Sequence, residues 1–310
     1  MDNGVFRLVS KMTRGEFLRG ALACGGAVGI SGGMRNAQAQ RAPAMLSPGT
    51  SLGIKSVPNL RDLGGYKAPD GSMVRYGIAY RSDQLNPISG DDMKKIVALG
   101  LKNDFDLRTA EERSKRPDEL PPGVNNVWLN VLADVKGTSA AELQDLIANP
   151  KEANEVLGGG KAEALFIKVY KEFITLPSAN RSYHELFVAL GNSGDEPALF
   201  HCTTGKDRTG WAAAALLTLL GVPEQLVYQD YLRSNEYILP AYQPLIDRFV
   251  KAGGEASIPE DLLGVKAAYL KASFDEMHAK YGTIEAYFAD GLGIDKAAQQ
   301  TLRHRFLTKN

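Results

Sequence analysis

Cysteine is scarce in this chain of 310 residues, which contains only two cysteines, Cys24 and Cys202. Histidine is scarce as well, and none of the four histidines has the spacing to another histidine or a cysteine that zinc sites show. A C-x-x-C metal or redox motif needs two closely spaced cysteines, so that motif is excluded. We therefore expect a protein without a bound metal or cofactor.

The chain also lacks an excess of charge of either sign, since 36 lysines and arginines balance 36 aspartates and glutamates. This balance does not indicate nucleic-acid binding, which requires a basic surface. No uninterrupted apolar run reaches about 18 residues, so a membrane-spanning helix is not expected. The length and a hydrophobic content of 44% instead fit one globular domain over residues 40–310.

The first 39 residues have the composition of an export signal. Basic residues in "SKMTRGEFLRG" (10–20) precede the weakly apolar "ALACGGAVGISGG" (21–33), and "AQA" (37–39) has the small residues that a signal peptidase recognises. "TRGEFLR" resembles a twin-arginine signal with Gly15 in place of the second arginine. We expect cleavage near Ala39 and a periplasmic or secreted protein, or a cytoplasmic one if this degenerate signal does not function. Cleavage would leave Cys202 as the only cysteine.

Apolar runs and helical patterns alternate along the rest of the chain, which predicts an α/β fold. The predicted elements are an opening β-segment (47–82), a capped helix (89–100), strands at 101–108, 124–132 and 196–200, a helix at 211–221 and a mostly helical region from 222 onward. Asp106 and Arg108, at the end of the strand 101–108, are expected at the carboxyl edge of a central sheet, where functional groups collect.

Residues 139–176 are predicted to be helical, with an interruption by glycines at 158–160. Because they are inserted between the core strands and the strand 196–200, they could form a helical lid with a glycine hinge. Ordinary packing helices are the alternative, and the sequence does not distinguish the two.

The stretch "HCTTGKDRTG" (201–210) joins the strand 196–200 to the helix 211–221. The five residues between Cys202 and Arg208 let the loop curl until its backbone N–H groups point inward and form an anion nest. Gly205 and Gly210 permit the dihedral angles that this curl needs. Arg208 can grip two phosphate oxygens, while the helix dipole stabilises a Cys202 thiolate. The loop therefore predicts a nucleophilic cysteine beneath a bound phosphate.

These residues resemble those of the cysteine-based tyrosine-phosphatase superfamily, and in particular the bacterial tyrosine/serine protein phosphatases with the loop "HCxxGKDRTG". The resemblance extends over most of the mature chain, including "NLRDLGGY" (59–66), "YRSDQL" (80–85), "DLRTAEER" (106–113), "GVPEQLVYQDYLRSNEYI" (221–238) and "GVKAAYLKASFDEMHAKYGTIEAYF" (264–288). It implies a tyrosine-phosphatase-like central sheet flanked by helices, to which the predicted lid and the helical C-terminal part are added. It also implies hydrolysis of phosphomonoesters through a phosphocysteine intermediate.

The resemblance implies a role for most residues of the loop. Cys202 is expected to attack phosphorus, Arg208 to bind the phosphate in the ground and transition states, and Thr209 to hydrogen-bond the sulfur and help expel it. His201 is expected to orient the loop through hydrogen bonds. The remaining substrate-binding residues are Thr203, Thr204, Gly205 and Lys206.

The general acid is left open between two aspartates, because the chain contains no "WPD" motif. Asp207 lies within the loop beside Arg208, and the Lys-Asp pair distinguishes the bacterial family that the chain resembles. Asp106, at the end of its strand, is the candidate for an opposing loop, unless it pairs with Arg108 or Arg113. We favour Asp207.

The predicted substrate is phosphotyrosine in proteins, with phosphoserine and phosphothreonine as further candidates. Lys206 suggests a phosphoinositide phosphatase as the alternative, because phosphoinositide phosphatases on this fold contact ring phosphates with a loop lysine. Where the most selective of them carry a second basic residue, this chain has Thr203. A non-catalytic phosphate-binding module is less favoured, since the cysteine and the arginine of the loop are both present. Arg61, Asp62 and Arg81 either line the pocket or tie the opening segment to the sheet.

Overall fold

The computed structural model describes residues 47–135 and 149–308. These residues form the predicted α/β fold around a five-stranded sheet. The predicted export signal (1–39) and the first part of the predicted lid (139–148) lie outside the described residues, so both stay predictions.

The central sheet places the cysteine loop at its carboxyl edge. Its strands are β1 (Arg61–Asp62), β2 (Ala79–Ser82), β3 (Asn103–Asp106), β4 (Asn125–Trp128) and β5 (Ala198–His201), in the spatial order β1-β2-β5-β3-β4. β2, β5, β3 and β4 run parallel, and β1 pairs antiparallel with β2. The register puts Ser82 and Asp106 on either side of His201. Side chains at three strand ends therefore converge around residue 201.

Helices flank the sheet and make up most of the described chain after β5. They are α1 (Gly90–Val97), α2 (Ala110–Lys115), α3 (Pro150–Leu157), α4 (Lys161–Thr175), α5 (Pro177–Asn192), α6 (Arg208–Leu219), α7 (Glu224–Leu232), α8 (Ser234–Lys251), α9 (Ser257–Leu263), α10 (Ala267–Tyr281), α11 (Ile284–Ala286), which continues into a π-helical turn (Tyr287–Gly291), and α12 (Lys296–Phe306). The predicted helical C-terminal part is confirmed. Within the described ranges, no helix combines the length and apolar character needed to cross a membrane.

A capping box sets the start of α2, directly after β3. The Thr109 side chain accepts a hydrogen bond from the Glu112 N–H at 3.3 Å, and the Glu112 carboxylate accepts one from the Thr109 N–H at 2.8 Å. This reciprocal pair satisfies two N–H groups that the first helical turn leaves unbonded. It also holds Glu112 near the carboxyl edge of the sheet, where the cysteine loop lies.

α6 carries the cysteine loop into the protein interior. All of its residues except Thr218 are buried, including the run of four alanines at 212–215. Trp211 packs against Phe274 and Tyr287, with ring centroids 5.3 and 5.7 Å away. Because β5 is fully buried as well, the loop is anchored at both ends by immobile elements.

α4 falls in the predicted lid region, but it packs in the body of the domain. Seven of its side chains are buried. The rings of Phe166 and Tyr170 lie 5.1 and 5.7 Å from the ring of Tyr269 on α10. Such packing is expected if these residues are ordinary packing helices, the alternative to a lid. Movement of the region as a lid stays a prediction.

Candidate active site

The cysteine loop links β5 directly to α6. His201 ends the strand, residues 202–207 form the loop, and Arg208 is the first residue of the helix. The helix begins before the predicted residue 211, which puts Arg208 at the positive end of the helix dipole. Gly205 has a φ of +67°, and a Cβ atom there would lie 2.2 Å from the carbonyl oxygen of Ser82. Glycine alone fits this turn without displacing β2.

Five successive carbonyl groups of the loop are held from outside. Two of these carbonyl oxygens accept from backbone N–H groups: that of His201 from Leu107 at 2.9 Å and that of Thr203 from Gln84 at 3.2 Å. Two accept from side chains: that of Thr204 from Asn59 Nδ2 at 2.9 Å and that of Gly205 from Arg81 Nη2 at 2.8 Å. The Cys202 carbonyl oxygen lies 3.1 Å from His201 Nδ1. Since these carbonyl oxygens point outward, the peptide N–H groups between them turn inward. The result is the anion nest that the sequence predicted.

Arg208 is held by a carboxylate that the sequence analysis did not single out. Its Nη1 and Nη2 donate to Glu112 Oε2 and Oε1, each at 2.8 Å, and Nη1 also donates to the Leu107 carbonyl at 3.3 Å. The Thr203 hydroxyl donates to the same carboxylate. Burial alone would raise the pKa of Glu112, but the Arg208 charge and the hydrogen bonds from Arg208, Thr203 and Thr109 together keep that pKa below its ordinary value. The charged pair fixes the guanidinium plane at the start of α6.

Arg81 ties the loop to the opening segment of the chain. It donates to the Gly205 carbonyl at 2.8 Å and to Asp230 Oδ2 at 2.5 Å. Asp230 Oδ1 accepts from the Tyr66 hydroxyl at 3.1 Å and lies 3.6 Å from Arg61 Nε. Burial would raise the pKa of Asp230, but the two arginines keep it below its ordinary value. Arg61 and Arg81 thus have the tying role that the sequence left open.

His201 belongs to a buried group of charges beneath the loop. Its Nε2 lies 3.3 Å from Asp118 Oδ2, 3.4 Å from Asp104 Oδ1 and 3.9 Å from Asp106 Oδ1. Burial would lower the pKa of His201, but these three carboxylates raise it well above its ordinary value. An imidazolium donates from both nitrogens, so Nδ1–H can hold the Cys202 carbonyl while Nε2–H faces the acids. This arrangement is consistent with the predicted orienting role.

Asp104, Asp118 and His201 also bring three atoms of metal-ligand type within 4.8 Å of one another. Arg108 donates to Asp118 Oδ2 at 2.6 Å, so a metal would have to share this oxygen with a guanidinium. Arg108 and Arg113 neutralise two of the three carboxylates around His201, and one imidazolium supplies the remaining positive charge. The group therefore fits a protonated histidine held between carboxylates.

Asp106 is fully buried and paired with arginines. Arg108 Nε and Nη2 donate to its two oxygens at 2.8 Å each, and Arg113 Nε lies 2.8 Å from Oδ2. These are the ion pairs that the sequence analysis weighed against an acid role. They give Asp106 a structural position beside His201.

Asp207 and Lys206 form a pair at the N-terminus of α6. Lys206 Nζ donates to Asp207 Oδ1 at 2.9 Å and lies 4.8 Å from the centre of the Phe166 ring. The Tyr170 hydroxyl donates to the same Oδ1 at 2.8 Å. The Asp207 side chain remains 11% exposed. Of the two candidate acids, Asp207 is the one that belongs to the loop itself.

The nucleophile lies at the bottom of the loop and is almost fully covered. Cys202 is 1% exposed and Arg208 is 4% exposed, so both side chains lie beneath the protein surface. On its outer side, Thr204 borders a small cavity whose other walls include side chains of α8. Thr209 Oγ1 is buried without a hydrogen-bond partner among the described residues. Its implied hydrogen bond to the sulfur is not formed in this structure and stays a prediction for the reacting state.

Sequence reasoning identified the loop but missed the residues that hold it, above all Glu112, Asp118 and Tyr170. The spacing of Thr109 and Glu112 in "TAEE" was a readable capping-box signal. It predicts a helix start, however, and not a contact with Arg208 across the sheet edge. Asp118 and Tyr170 carry no local signal, because their partners are brought to them only by the packing of α2 and α4.

A thiol beneath inward-turned N–H groups, with a guanidinium at the rim, is how cysteine-dependent phosphatases hold a phosphate and attack it. Together with the parallel α/β sheet, this arrangement defines the class of the protein. The tyrosine phosphatase family model matches residues 52–308. The chain belongs to this family, and it is an enzyme of the tyrosine phosphatase family.

Individual relatives agree with this membership. A protein of Cupriavidus necator named as a candidate tyrosine-protein phosphatase is 33% identical over 248 residues, covering 79% of this chain and 85% of the relative. The triple specificity protein phosphatase PtpB of Mycobacterium tuberculosis is 26% identical over 281 residues, covering 81% of this chain and 98% of the relative. A tyrosine-protein phosphatase of Nostoc commune is 28% identical over 234 residues, or 73% of this chain and 72% of the relative.

Proposed function

We propose that this protein hydrolyses phosphotyrosine, and also phosphoserine and phosphothreonine, in proteins through a phosphocysteine intermediate. The observation that supports it best is the outward hold on five successive loop carbonyls around Cys202. A structural cysteine needs no such arrangement. An anion above the thiol does, because the inward N–H groups would otherwise lack partners.

In the proposed reaction, the Cys202 thiolate attacks phosphorus and forms an S–P bond while the bond from phosphorus to the leaving oxygen breaks. The leaving oxygen takes a proton from Asp207. Water then attacks the phosphocysteine and gives a proton to the Asp207 carboxylate, a P–O bond forms as the S–P bond breaks, and inorganic phosphate and the thiolate are released. Arg208 binds Glu112 through the Nη1/Nη2 end of its guanidinium. We assign its Nε–H and second Nη2–H to two phosphate oxygens.

Replacement of the nucleophile tests this function. Cys202→Ser should abolish turnover of p-nitrophenyl phosphate and still bind a phosphate analogue such as tungstate, because the nest consists of backbone N–H groups. Retained turnover, or loss of tungstate binding as large as the loss of rate, would show that the sulfur is structural. Wild-type protein that binds tungstate without any turnover would instead support a non-catalytic module.

The acid is tested with two leaving groups. Nitrophenolate leaves without much assistance, whereas a serine alkoxide needs a proton in the transition state. Asp207→Asn should therefore lose on the order of 100-fold more activity on phosphoserine peptides than on p-nitrophenyl phosphate. Asp106→Asn should affect both substrates equally, since Asp106 is tied to Arg108 and Arg113. The reverse pattern would move the acid role to Asp106.

The substrate class rests on a screen. The name of the Mycobacterium tuberculosis relative gives that protein triple specificity, which supports a broad range here. The alternative substrate, a phosphoinositide, would need Lys206 to leave Asp207 and Phe166 in order to reach a ring phosphate. We expect phosphotyrosine peptides to be turned over best when phosphopeptides and soluble phosphoinositides are compared at equal concentration. A higher kcat/KM for the phosphoinositides would establish the alternative.

We also propose export to the periplasm or the medium, on the basis of residues 1–39 alone. N-terminal sequencing of protein from the extracytoplasmic fraction should begin near Gln40. Full-length protein confined to the cytoplasm would contradict export.

A further inference from the structure

One face of α4 contacts both members of the Lys-Asp pair in the loop. Phe166 lies under the Lys206 ammonium, which is 4.8 Å from the ring centre. The Tyr170 hydroxyl donates a hydrogen bond to Asp207 Oδ1 at 2.8 Å. Phe166 and Tyr170 are four residues apart, so they share one helix face. α4 therefore supports Lys206 and Asp207 together.

Tyr170 is itself held in a defined hydrogen-bonding direction. The Tyr231 hydroxyl donates to the Tyr170 oxygen at 2.7 Å, so the proton of Tyr170 is left for Asp207. The Tyr170 ring packs against Phe173 and Tyr269 at centroid distances of 5.1 and 5.7 Å. Burial and the Asp207 charge raise the pKa of Tyr170 well above its ordinary value, so the phenol keeps its proton.

Both donors to Asp207, Tyr170 and Lys206, reach the same oxygen, Oδ1. A carboxyl group whose Oδ1 is fixed in this way cannot rotate, and Oδ2 is the oxygen left to carry the transferable proton. When that proton moves to the leaving oxygen, the carboxylate that forms is stabilised by the two hydrogen bonds already in place. Hydrogen bonds to a charged group are stronger than those to a neutral one, so this contact strengthens as the proton leaves.

We propose that Tyr170 is a positioning residue for the general acid: its hydroxyl orients Asp207 and stabilises the carboxylate formed by proton donation, with Tyr231 as its support. This inference rests on the acid role proposed above for Asp207. It assigns α4, whose sequence suggested a lid, to the catalytic apparatus.

Tyr170→Phe tests the proposal because it removes one oxygen atom and keeps the ring. With p-nitrophenyl phosphate, kcat/KM should stay within about 3-fold of the wild type, and with a phosphoserine peptide it should fall about 10-fold or more. The loss should be in kcat rather than in KM. The basic limb of the pH–rate profile should move to higher pH, because the hydroxyl no longer stabilises the carboxylate. Tyr231→Phe should show the same dependence on the leaving group and the same direction of pH shift, with smaller changes in both.

Tyr269→Phe is the matched control. Tyr269 belongs to the same aromatic group, but its hydroxyl donates to Asp261 Oδ1 at 2.9 Å, away from the loop. We expect this variant to change kcat/KM by the same factor for both substrates, relative to the wild type, and to keep the wild-type pH profile. Thermal unfolding of all three variants separates loss of folding from loss of proton transfer. If Tyr170→Phe does not fold, Tyr231→Phe carries the test.

Parallel measurements on Asp207→Asn distinguish failure of the acid role of Asp207 from failure of the positioning role of Tyr170. If Asp207→Asn shows no dependence on the leaving group, the acid role fails, and this inference fails with it. If Asp207→Asn shows the dependence but Tyr170→Phe loses activity equally on both substrates, or loses none, the positioning role alone is overturned. Adding Tyr170→Phe to Asp207→Asn should cause no further loss that depends on the leaving group, because the hydroxyl acts through that carboxylate. A further selective loss in the double variant would also overturn the positioning role.

Discussion

At the scale of single residues, three functional groups of the loop are held by buried partners far away in the sequence. Glu112 holds Arg208, and Tyr170 holds Asp207. Arg81 holds the Gly205 carbonyl. A buried charge that loses its partner is strongly destabilised, so these contacts make the loop rigid only while every partner is present. The partners are therefore as informative to mutate as the loop itself.

Glu112→Gln should lower kcat/KM by roughly 10- to 100-fold, because the Arg208 guanidinium loses the charge that fixes its plane. Glu111→Gln is the matched control, since Glu111 is on the outer side of α2 and pairs with Lys115 at 3.3 Å. Steady-state kinetics with an aryl phosphate would measure the difference. Equal activity of the two variants would show that Arg208 needs no carboxylate to hold it.

Gly205→Ala should abolish activity, because the added Cβ would lie 2.2 Å from the Ser82 carbonyl oxygen. Gly123→Ala separates this clash from backbone strain. Gly123 also has a positive φ, +84°, but nothing lies within 4 Å of the added atom. The control should lose about 1 kcal/mol of stability and keep its turnover. Activity of Gly205→Ala comparable to that of the control would mean that β2 can yield to the loop.

Whether a residue of the site could be predicted from the sequence depends on how far along the chain its contacts lie. Cys202, Gly205 and Arg208 lie in one short loop, so their spacing alone carries the chemistry. Glu112 has a local signal, but that signal describes a helix cap. Tyr170 is one of many aromatic residues on helices, and no pattern shows that its hydroxyl meets Asp207.

At the scale of elements, strands and helices were predicted well where their patterns are local. The strand before the loop, the strand ending at Asp106 and the capped helix after Ser89 all form close to the predicted positions. α4 is different, because its place in the chain suggested a lid, and ordinary packing helices were the alternative that the sequence left open. Seven buried side chains and the contact with Asp207 correspond to the second interpretation.

Hydrogen exchange can distinguish a packing helix from a movable lid at α4. If α4 is part of the rigid body, its central amides should exchange about as slowly as those of α6, since local opening would expose its buried face. α1 provides the comparison, because only Asp92 and Ile96 are buried in it. Exchange in α4 as fast as in α1 would favour a lid that opens.

At the scale of the whole molecule, the alternation of apolar runs and helical patterns predicted an α/β fold, and the resemblance of the loop implied a phosphatase. Neither showed how the charges of the protein are buried. The carboxyl ends of β2, β3 and β5 meet at one edge, and this edge gathers His201, Asp106 and Arg108 into a buried cluster. Sequence spacing cannot show this, because β5 follows β2 and β3 only after about 100 residues of chain. The cluster links the stability of the fold to pH.

That linkage has a definite sign. The pKa of His201 is raised well above its ordinary value by Asp118, Asp104 and Asp106, against the opposing effect of burial. In the unfolded chain the imidazole returns to about 6.5. Its contribution to stability is thus fully present below about pH 6.5 and is lost as pH rises towards the higher pKa of the folded state. Between about pH 6.5 and the higher pKa of the folded state, the free energy of unfolding should fall as the pH rises, because only the unfolded imidazole releases its proton there.

Urea unfolding at increasing pH above about 6.5 should therefore show the wild type losing stability relative to His201→Gln, by at most about 1.4 kcal/mol per pH unit. His304→Gln removes an exposed histidine of α12 and should run parallel to the wild type. If His201→Gln is too unstable to measure, the imidazole nitrogens of the wild type can be observed by NMR, and both should still carry protons at a pH above the ordinary histidine pKa of about 6.5. Deprotonation of His201 near its ordinary pKa, or a constant difference between wild type and variant, would mean that the three carboxylates do not hold an imidazolium. A neutral ring would then have to hold the Cys202 carbonyl through its Nδ1–H tautomer.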